Sequence, residues 1–248
     1  MGDKLLSPPL IEALCEFRFT PSSPWDWTLP GRLYDQIGKE FSERSQIEEV
    51  GVQIRLGPGK PPASQVIKGP DRVQMKRPDG SAMVQIGPHL LAVNYLRSYP
   101  NWETFSELIL SIFESYINLC GECNLQRIGL RYINRLPLPE GKCDLESLIS
   151  LAPSLKGPLD RPLVGFYQRY EILYDSPKGI LIHQTGIQKA DHENVVMVDL
   201  DIGSTELEGI SDKFTLEKWL NAAHDRIYET FVASLNPVLY EKLKRGIA

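Results

Sequence analysis

The sequence is poor in the residues and runs that mark several classes of protein. It contains only 4 cysteines in 248 residues, too few for a small scaffold held together by disulfides. It has no run of about 18 apolar residues, so no membrane-spanning helix is expected. The first residues lack the apolar core and cleavage site of a secretory signal peptide. We therefore expect a cytoplasmic protein whose cysteines are reduced thiols.

Basic residues are not in excess either. There are 27 Lys and Arg against 32 Asp and Glu, and the formal net charge is −5. This balance gives no general reason to bind nucleic acid or an anionic membrane. The apolar fraction of 42% and the charged fraction of 24% are those of an ordinary folded protein and exclude a disordered chain.

The common catalytic motifs are missing. The chain has no nucleophile elbow, no phosphate-binding loop and no dinucleotide fingerprint. The four histidines do not pair at metal-ligand spacing; they are His89, His183, His192 and His224. The pair Cys120 and Cys123 lacks a second pair to enclose zinc, although Cys143 is a possible third ligand. We expect no metal and no cofactor, and no motif indicates an enzyme.

What is present is a pattern of strands and helices that repeats loosely. The first half predicts a strand over 10–19, a helix over 31–44, strands at 50–56, 63–68, 72–76, 82–86 and 90–96, and a long helix capped by Asn101. The second half predicts a strand over 125–136, a short helix over 145–151, strands at 164–174, 179–185 and 195–202, a long helix from Thr215 and a last turn of helix after Asn236.

Hairpins dominate this order, which favours an α+β fold of mostly antiparallel sheets backed by helices. The two similar halves are predicted to span 1–121 and 122–248 and to pack as one compact unit.

The segment 127–135 is the most informative stretch. Strand alternation places Arg127, Gly129, Arg131, Ile133 and Arg135 on one face and sets Asn134 among the side chains of the other. Arginine pairs well with carboxylate or with phosphate, so the stripe indicates either ion pairs within the sheet or an anion site.

Acidic partners occur on two other predicted strands. Asp199 and Asp201 share one strand face, and Glu12 and Glu16 share another. If these strands lie beside the arginine strand, the charges pair across the sheet. The alternatives are a ligand site formed by Arg127, Arg131, Asn134, Asp199 and Asp201, or a Mg²⁺ site at the two aspartates.

Aromatic residues near predicted loops leave two further interpretations open. They are Trp25, Trp27, Tyr95, Tyr99 and Trp102. Such side chains could rim a binding surface, or they could seal the ends of a curved sheet. The sequence pattern favours neither.

Three stretches together resemble a known group of proteins. They are Pro8-Pro-Leu-Ile-Glu-Ala-Leu-Cys-Glu-Phe-Arg18, Arg127-Ile-Gly-Leu-Arg-Tyr-Ile-Asn134 and Ala223-His-Asp-Arg-Ile-Tyr-Glu-Thr-Phe231. Their order is similar to that in a sporadically distributed family of uncharacterised prokaryotic proteins of about this length. The resemblance implies no activity. Patchy distribution implies only an association with mobile or defence genes.

The absent motifs and the repeated sheet-and-helix plan lead to one main hypothesis. It is a non-catalytic protein-binding or accessory module. The system in which it would act is a phage-defence or toxin–antitoxin-like system. Its partner would be a toxin or effector protein, or further copies of the chain in a homo-oligomer. The alternative is a sensor of a small ligand, a nucleotide or an anion, or a metal-dependent enzyme, that uses Arg127, Arg131, Asp199 and Asp201.

Overall fold

The computed structural model describes residues 5–21, 25–47, 50–57, 60–68, 72–96, 99–121, 123–138, 145–159, 161, 163–190, 193–207 and 213–247. Its strands are β1 (Leu10–Pro21), β2 (Glu43–Ile47), β3 (Val50–Gly57), β4 (Lys60–Lys68), β5 (Arg72–Lys76), β6 (Ala82–Gly87), β7 (Leu90–Tyr95), β8 (Cys123–Pro137), β9 (Tyr167–Asp175), β10 (Lys178–Ala190) and β11 (Glu193–Ser204). Its helices are α1 (Leu29–Ile37), α2 (Trp102–Cys120), α3 (Lys213–Ser234) and α4 (Pro237–Arg245).

Nine of these strands form one antiparallel sheet, and β3 and β4 form a separate hairpin. The strand order of the sheet is β2-β5-β6-β7-β1-β8-β11-β10-β9. The predicted α+β fold with antiparallel sheet is therefore confirmed.

The strand order also relates the two halves of the chain. β1 and β8 pair at the centre of the sheet, and each has the last strand of its own half, β7 or β11, on its other side. The remaining strands then follow outward in reverse chain order on both sides. A helix follows β7 and another follows β11. One sheet thus runs through both halves, while the boundary at residue 121 stays a prediction.

Alternation along the central strands decides what each face of the sheet carries. In β8, Ile128, Leu130, Tyr132 and Leu136 are buried on the face that the helices cover. In β1, Phe17 packs on the same side against Phe113 of α2, with ring centroids 4.6 Å apart and planes inclined by 35°. We call this side the helix face and the opposite side, which carries Arg127 and Arg131, the polar face. The predicted alternation of β8 is confirmed.

One predicted helix is wrong at its end. The pattern over 31–44 predicts a single helix, but α1 ends at Ile37, and Gly38 donates its backbone N–H to the carbonyl of Tyr34. The chain then forms the edge strand β2, which pairs with β5. Phe41 keeps its place in the core without being helical. Pairing with a distant strand outweighs the local helical spacing here.

Two smaller expectations also change. The short helix predicted over 145–151 is a single 3-10 turn, Leu145–Ser147. Cys120, expected to be a reduced thiol, is disulfide-bonded, whereas Cys15 is free and buried. Cys120 is the last residue of α2. Cys143 and His192 lie outside the described residues.

Candidate functional site

The predicted arginine and aspartate residues meet on the polar face as ion pairs. Arg131 forms a two-pronged contact with Asp199, with Nε–Oδ1 at 2.8 Å and Nη2–Oδ2 at 2.6 Å. Arg127 lies between two acids, with Nη1 3.2 Å from Glu16 Oε1 and Nη2 3.3 Å from Asp201 Oδ2. Arg131 and Asp199 are diagonal neighbours, because the residue directly opposite Arg131 is Asp201. The pairing across the sheet that the sequence indicates is present.

Two glycines provide the space for the Arg127 side chain. Gly129 and Gly203 are directly opposite each other on β8 and β11. A Cβ atom on Gly129 would lie 2.7 Å from Nη1 of Arg127, and one on Gly203 would lie 2.6 Å from Nη2. The guanidinium thus lies flat over both backbones. These glycines are explained by the close approach of this side chain rather than by an unusual backbone angle.

Polar side chains elsewhere on this face also bond to one another. Gln74 donates to Gln85 at 3.2 Å, Gln85 donates to Asn94 at 3.3 Å, and Asn94 donates to Glu12 at 2.6 Å. Among the described residues, the face therefore uses much of its hydrogen-bonding capacity internally. Burial raises the pKa of Asp201 although Arg127 opposes the shift, as expected for a carboxylate inside a packed network.

The structure separates Asn134 from the other predicted ligand residues. Asn134 is buried on the helix face, whereas the ion-paired residues lie on the polar face. It lines a cavity of about 420 Å³ instead. Arg127, Arg131, Asp199 and Asp201 are not among the described residues that line this cavity. Their role in ligand binding stays a prediction.

Four segments that are distant in sequence enclose the cavity. They are the chain before β1, the loop that enters α2, the middle of β8 and the middle of α3. Its apolar wall is contributed by Leu5, Pro8, Pro9, Leu10, Ile227 and Phe231. The volume falls within the range of about 300–1,000 Å³ that is typical of small-molecule sites.

Polar groups of β8 face this cavity from the sheet. The hydroxyls of Tyr132 and Tyr99 are 2.9 Å apart, and one donates to the other. Burial raises the pKa of both phenols, so both remain neutral. The Asn134 amide donates to the carbonyl of Val198 at 3.3 Å. No described residue donates a hydrogen bond to the side-chain oxygen Oδ1 of Asn134. This nearly buried side chain therefore keeps a free acceptor.

Trp102 and His224 form an aromatic wall between α2 and α3. Their rings stack with centroids 4.4 Å apart and planes inclined by 14°. The indole N–H of Trp102 donates to Asn221 at 2.7 Å, which fixes the ring. Burial lowers the pKa of His224 against the opposing effect of Asp225, so the imidazole is neutral near pH 7. A neutral imidazole keeps one nitrogen as an acceptor.

Among the described lining residues, the charged side chains are the carboxylates of Glu103 and Asp225. Asp225 Oδ1 lies 3.8 Å from Nδ1 of His224, next to the aromatic wall. The lining residues that the structure describes include no lysine and no arginine. The aromatic rings, the free acceptors and the acids together suit a ligand that is apolar and carries N–H donors or positive charge.

Sequence reasoning missed most of this site. It counts Trp102 among several aromatic residues near loops and notes of His224 only that it has no partner at metal-ligand spacing. A partial signal exists, since His224, Ile227, Tyr228 and Phe231 fall on one helical face that mixes polar and aromatic groups. The pattern does not show that this face lies opposite Tyr132, because that depends on how α3 packs against β8.

No family model matches the chain, and no curated protein matches it at a significant level. Membership in the sporadic prokaryotic family therefore stays a prediction.

No helix in the described ranges is long and apolar enough to cross a membrane. Within the same ranges, no three His, Cys, Asp or Glu side chains are placed to hold a metal ion together.

Proposed function

We propose that this protein is a small-ligand sensor whose ligand occupies the cavity between β8, α2 and α3. The observation that supports this proposal most directly is the combination of size and lining. The cavity of about 420 Å³ has mostly apolar walls with a few polar groups on two rigid elements, which is the usual composition of a ligand site.

The lining favours an organic cation over the nucleotide or anion considered from the sequence. A phosphate or carboxylate group would approach Glu103 and Asp225 without a basic side chain among the described lining residues to balance it. An ammonium group would be attracted by those carboxylates and by the faces of Trp102 and Tyr132. The predicted ligand is therefore an amine or quaternary ammonium attached to an apolar or aromatic body.

The uncharged acceptors would set the orientation of such a ligand. Asn134 presents its carbonyl oxygen from the sheet, and neutral His224 presents a ring nitrogen from α3. A ligand N–H that reaches either group replaces a hydrogen bond to water, while the apolar body gains from burial against Ile227 and Phe231.

Calorimetric titration with a matched pair of probes tests this ligand class. Phenethylamine and 3-phenylpropionate have the same ring and similar length but opposite charge. We expect binding of the amine and none of the acid at the same concentration. The substitution Trp102→Ala should weaken amine binding at least about tenfold, because it removes one ring of the aromatic wall. Binding of the acid alone would refute the cation proposal.

A variant of the polar face is the matched control. Arg131→Ala removes the ion pair with Asp199 on the polar face. It changes none of the residues that line the cavity. We expect amine binding to be unchanged in this variant. Loss of binding in Arg131→Ala together with full binding in Trp102→Ala would locate the ligand on the polar face and overturn the assignment to the cavity.

A protein-binding module, the main hypothesis from the sequence, is the second candidate. Its specific support is an exposed apolar strip on the outermost strand β9 and the chain before it, which includes Leu159, Val164, Tyr167 and Leu173. Exposed apolar surface of this kind is typical of contact sites between proteins. A role in phage defence remains a proposal, which the identity of the neighbouring genes would test. Co-purification from the host would test for a toxin partner.

A further inference from the structure

The two outer strands of the nine-stranded sheet differ sharply in character. β2 has only five residues, Glu43–Ile47, and begins with charged Glu43 and Arg44. β9 has nine residues, Tyr167–Asp175, and exposes Tyr167 by 64% and Leu173 by 76%. Short, charged edges are a common protection against unwanted strand pairing. The first edge is both short and charged, whereas β9 is nearly twice as long and exposes large apolar side chains beside its charges.

β9 is bonded on one side only. It pairs with β10 from Tyr167 to Asp175, and no described strand lies on its other side. Alternate backbone N–H and C=O groups of an edge strand therefore point away from the sheet, ready to bond to another strand. Its side chains add apolar area on both faces, with Tyr170 and Ile172 exposed on one and Tyr167 and Leu173 on the other.

We propose that β9 pairs antiparallel with β9 of a second copy of this chain, about a two-fold axis at Tyr170. This contact would join two nine-stranded sheets into one. The inference specifies the partner in the protein-binding candidate and is independent of the cavity. Symmetric association through one identical patch is also the commonest form of homodimer.

The charges of β9 select this register. Arg169 and Glu171 already pair within one chain, with Nη2 2.8 Å from Oε1. With the axis at Tyr170, Arg169 of each copy is also opposite Glu171 of the other, so opposite charges alternate across the contact. An axis at Arg169 or at Glu171 would instead place like charges opposite each other. An axis at Ile172 would place Glu171 opposite Leu173. An axis midway between two residues would place side chains of the polar face of one copy level with side chains of the helix face of the other. The two-residue period of strands excludes such registers.

The same register also pairs the exposed apolar side chains. Tyr167 of each copy is opposite Leu173 of the other, and the two Tyr170 rings meet at the axis. Aromatic–aliphatic and aromatic–aromatic pairs are favourable across strands. Leu151 lies beside β9, since Gln168 donates to its carbonyl at 3.0 Å, and extends the apolar contact toward the helix face.

Sedimentation equilibrium with charge-exchange variants tests the interface. We expect the full chain to form a dimer whose dissociation constant rises at least about tenfold in Arg169→Glu and in Glu171→Arg, because two attractive pairs become repulsive. The double variant Arg169→Glu with Glu171→Arg should return to within about threefold of the original value. A chain that stays monomeric at all concentrations, or a dimer unaffected by either single change, would overturn the proposal.

Cysteine cross-linking tests the register itself. In Tyr170→Cys the two new thiols would face each other at a Cα separation of about 4.5–5.5 Å, within reach of a disulfide. In the control Leu173→Cys they would be separated by six residue steps along the strands, about 20 Å. We expect rapid oxidation to a covalent dimer only in the first variant. Cross-linking of the second variant alone would contradict the register, and a β9 edge occupied by another protein would leave both unlinked.

Discussion

Breaking the Arg131–Asp199 pair should show whether these side chains hold the sheet together. The perturbation is a double-mutant cycle of Arg131→Ala, Asp199→Ala and the double variant, which isolates the energy of the contact from the packing that each side chain loses. Both residues lie on adjacent central strands, β8 and β11, where a lost contact affects the middle of the sheet.

The expected coupling follows from geometry and exposure. Two hydrogen bonds between charged groups, at 2.8 and 2.6 Å, would each contribute about 1.5–3 kcal/mol if fully enclosed. The side chain of Arg131 is 38% exposed and that of Asp199 15%. Ion pairs at the surface contribute only about 0.2–1 kcal/mol, so solvent screening reduces the coupling here to about 1.5 kcal/mol.

Urea denaturation of the four proteins gives this coupling from the free energies of unfolding. The exposed pair Arg226 and Glu229 on α3 is a matched control, for which we expect about 0.5 kcal/mol or less. A coupling for Arg131 and Asp199 that is within about 0.3 kcal/mol of zero would refute the structural role and return Arg131 to consideration as a ligand-binding residue.

Two further predictions concern Gly179 and His183 of strand β10. Gly179→Ala should lower the free energy of unfolding by about 1–3 kcal/mol, because its Cβ would lie 2.5 Å from the backbone carbonyl oxygen of Gly203; urea denaturation measures the loss. Burial lowers the pKa of His183, so the unfolded chain binds more protons below its ordinary pKa of about 6.5. The contribution of His183 to the free energy of unfolding should therefore be fully present above that pH. It should be lost as the pH falls through the lower pKa of the folded state. His183→Phe should reduce this pH dependence in denaturation curves at pH 7.5 and 5, and an unchanged dependence would contradict the assignment.

The core of the sheet could be predicted from sequence because strand alternation is a local property. The two-residue period of β8 separates Arg127 and Arg131 from Leu130 and Tyr132 without any knowledge of neighbouring strands. The start of α2 is equally local, since Asn101 caps it by accepting from the backbone N–H of Thr104 at 2.7 Å.

The edges of the sheet could not be predicted in the same way. The predicted helix over 31–44 includes Glu43 and Arg44, which instead pair with β5 as the first residues of β2. The same limit applies to the partners of the arginines. The sequence indicates acids on other strands, but only the side-chain positions on the paired strands β8 and β11 show that Asp199 pairs with Arg131 and Asp201 with Arg127.

The sequence by itself determined the antiparallel α+β plan and the two faces of β8, and it left open whether the charges pair with one another or bind a ligand. Only the tertiary structure decided where a ligand could enter. Trp102, Tyr132 and His224 belong to three elements that the chain brings together through the packing of α2 and α3 on the sheet. A cavity is the space that remains between packed elements, so no local pattern of residues specifies it.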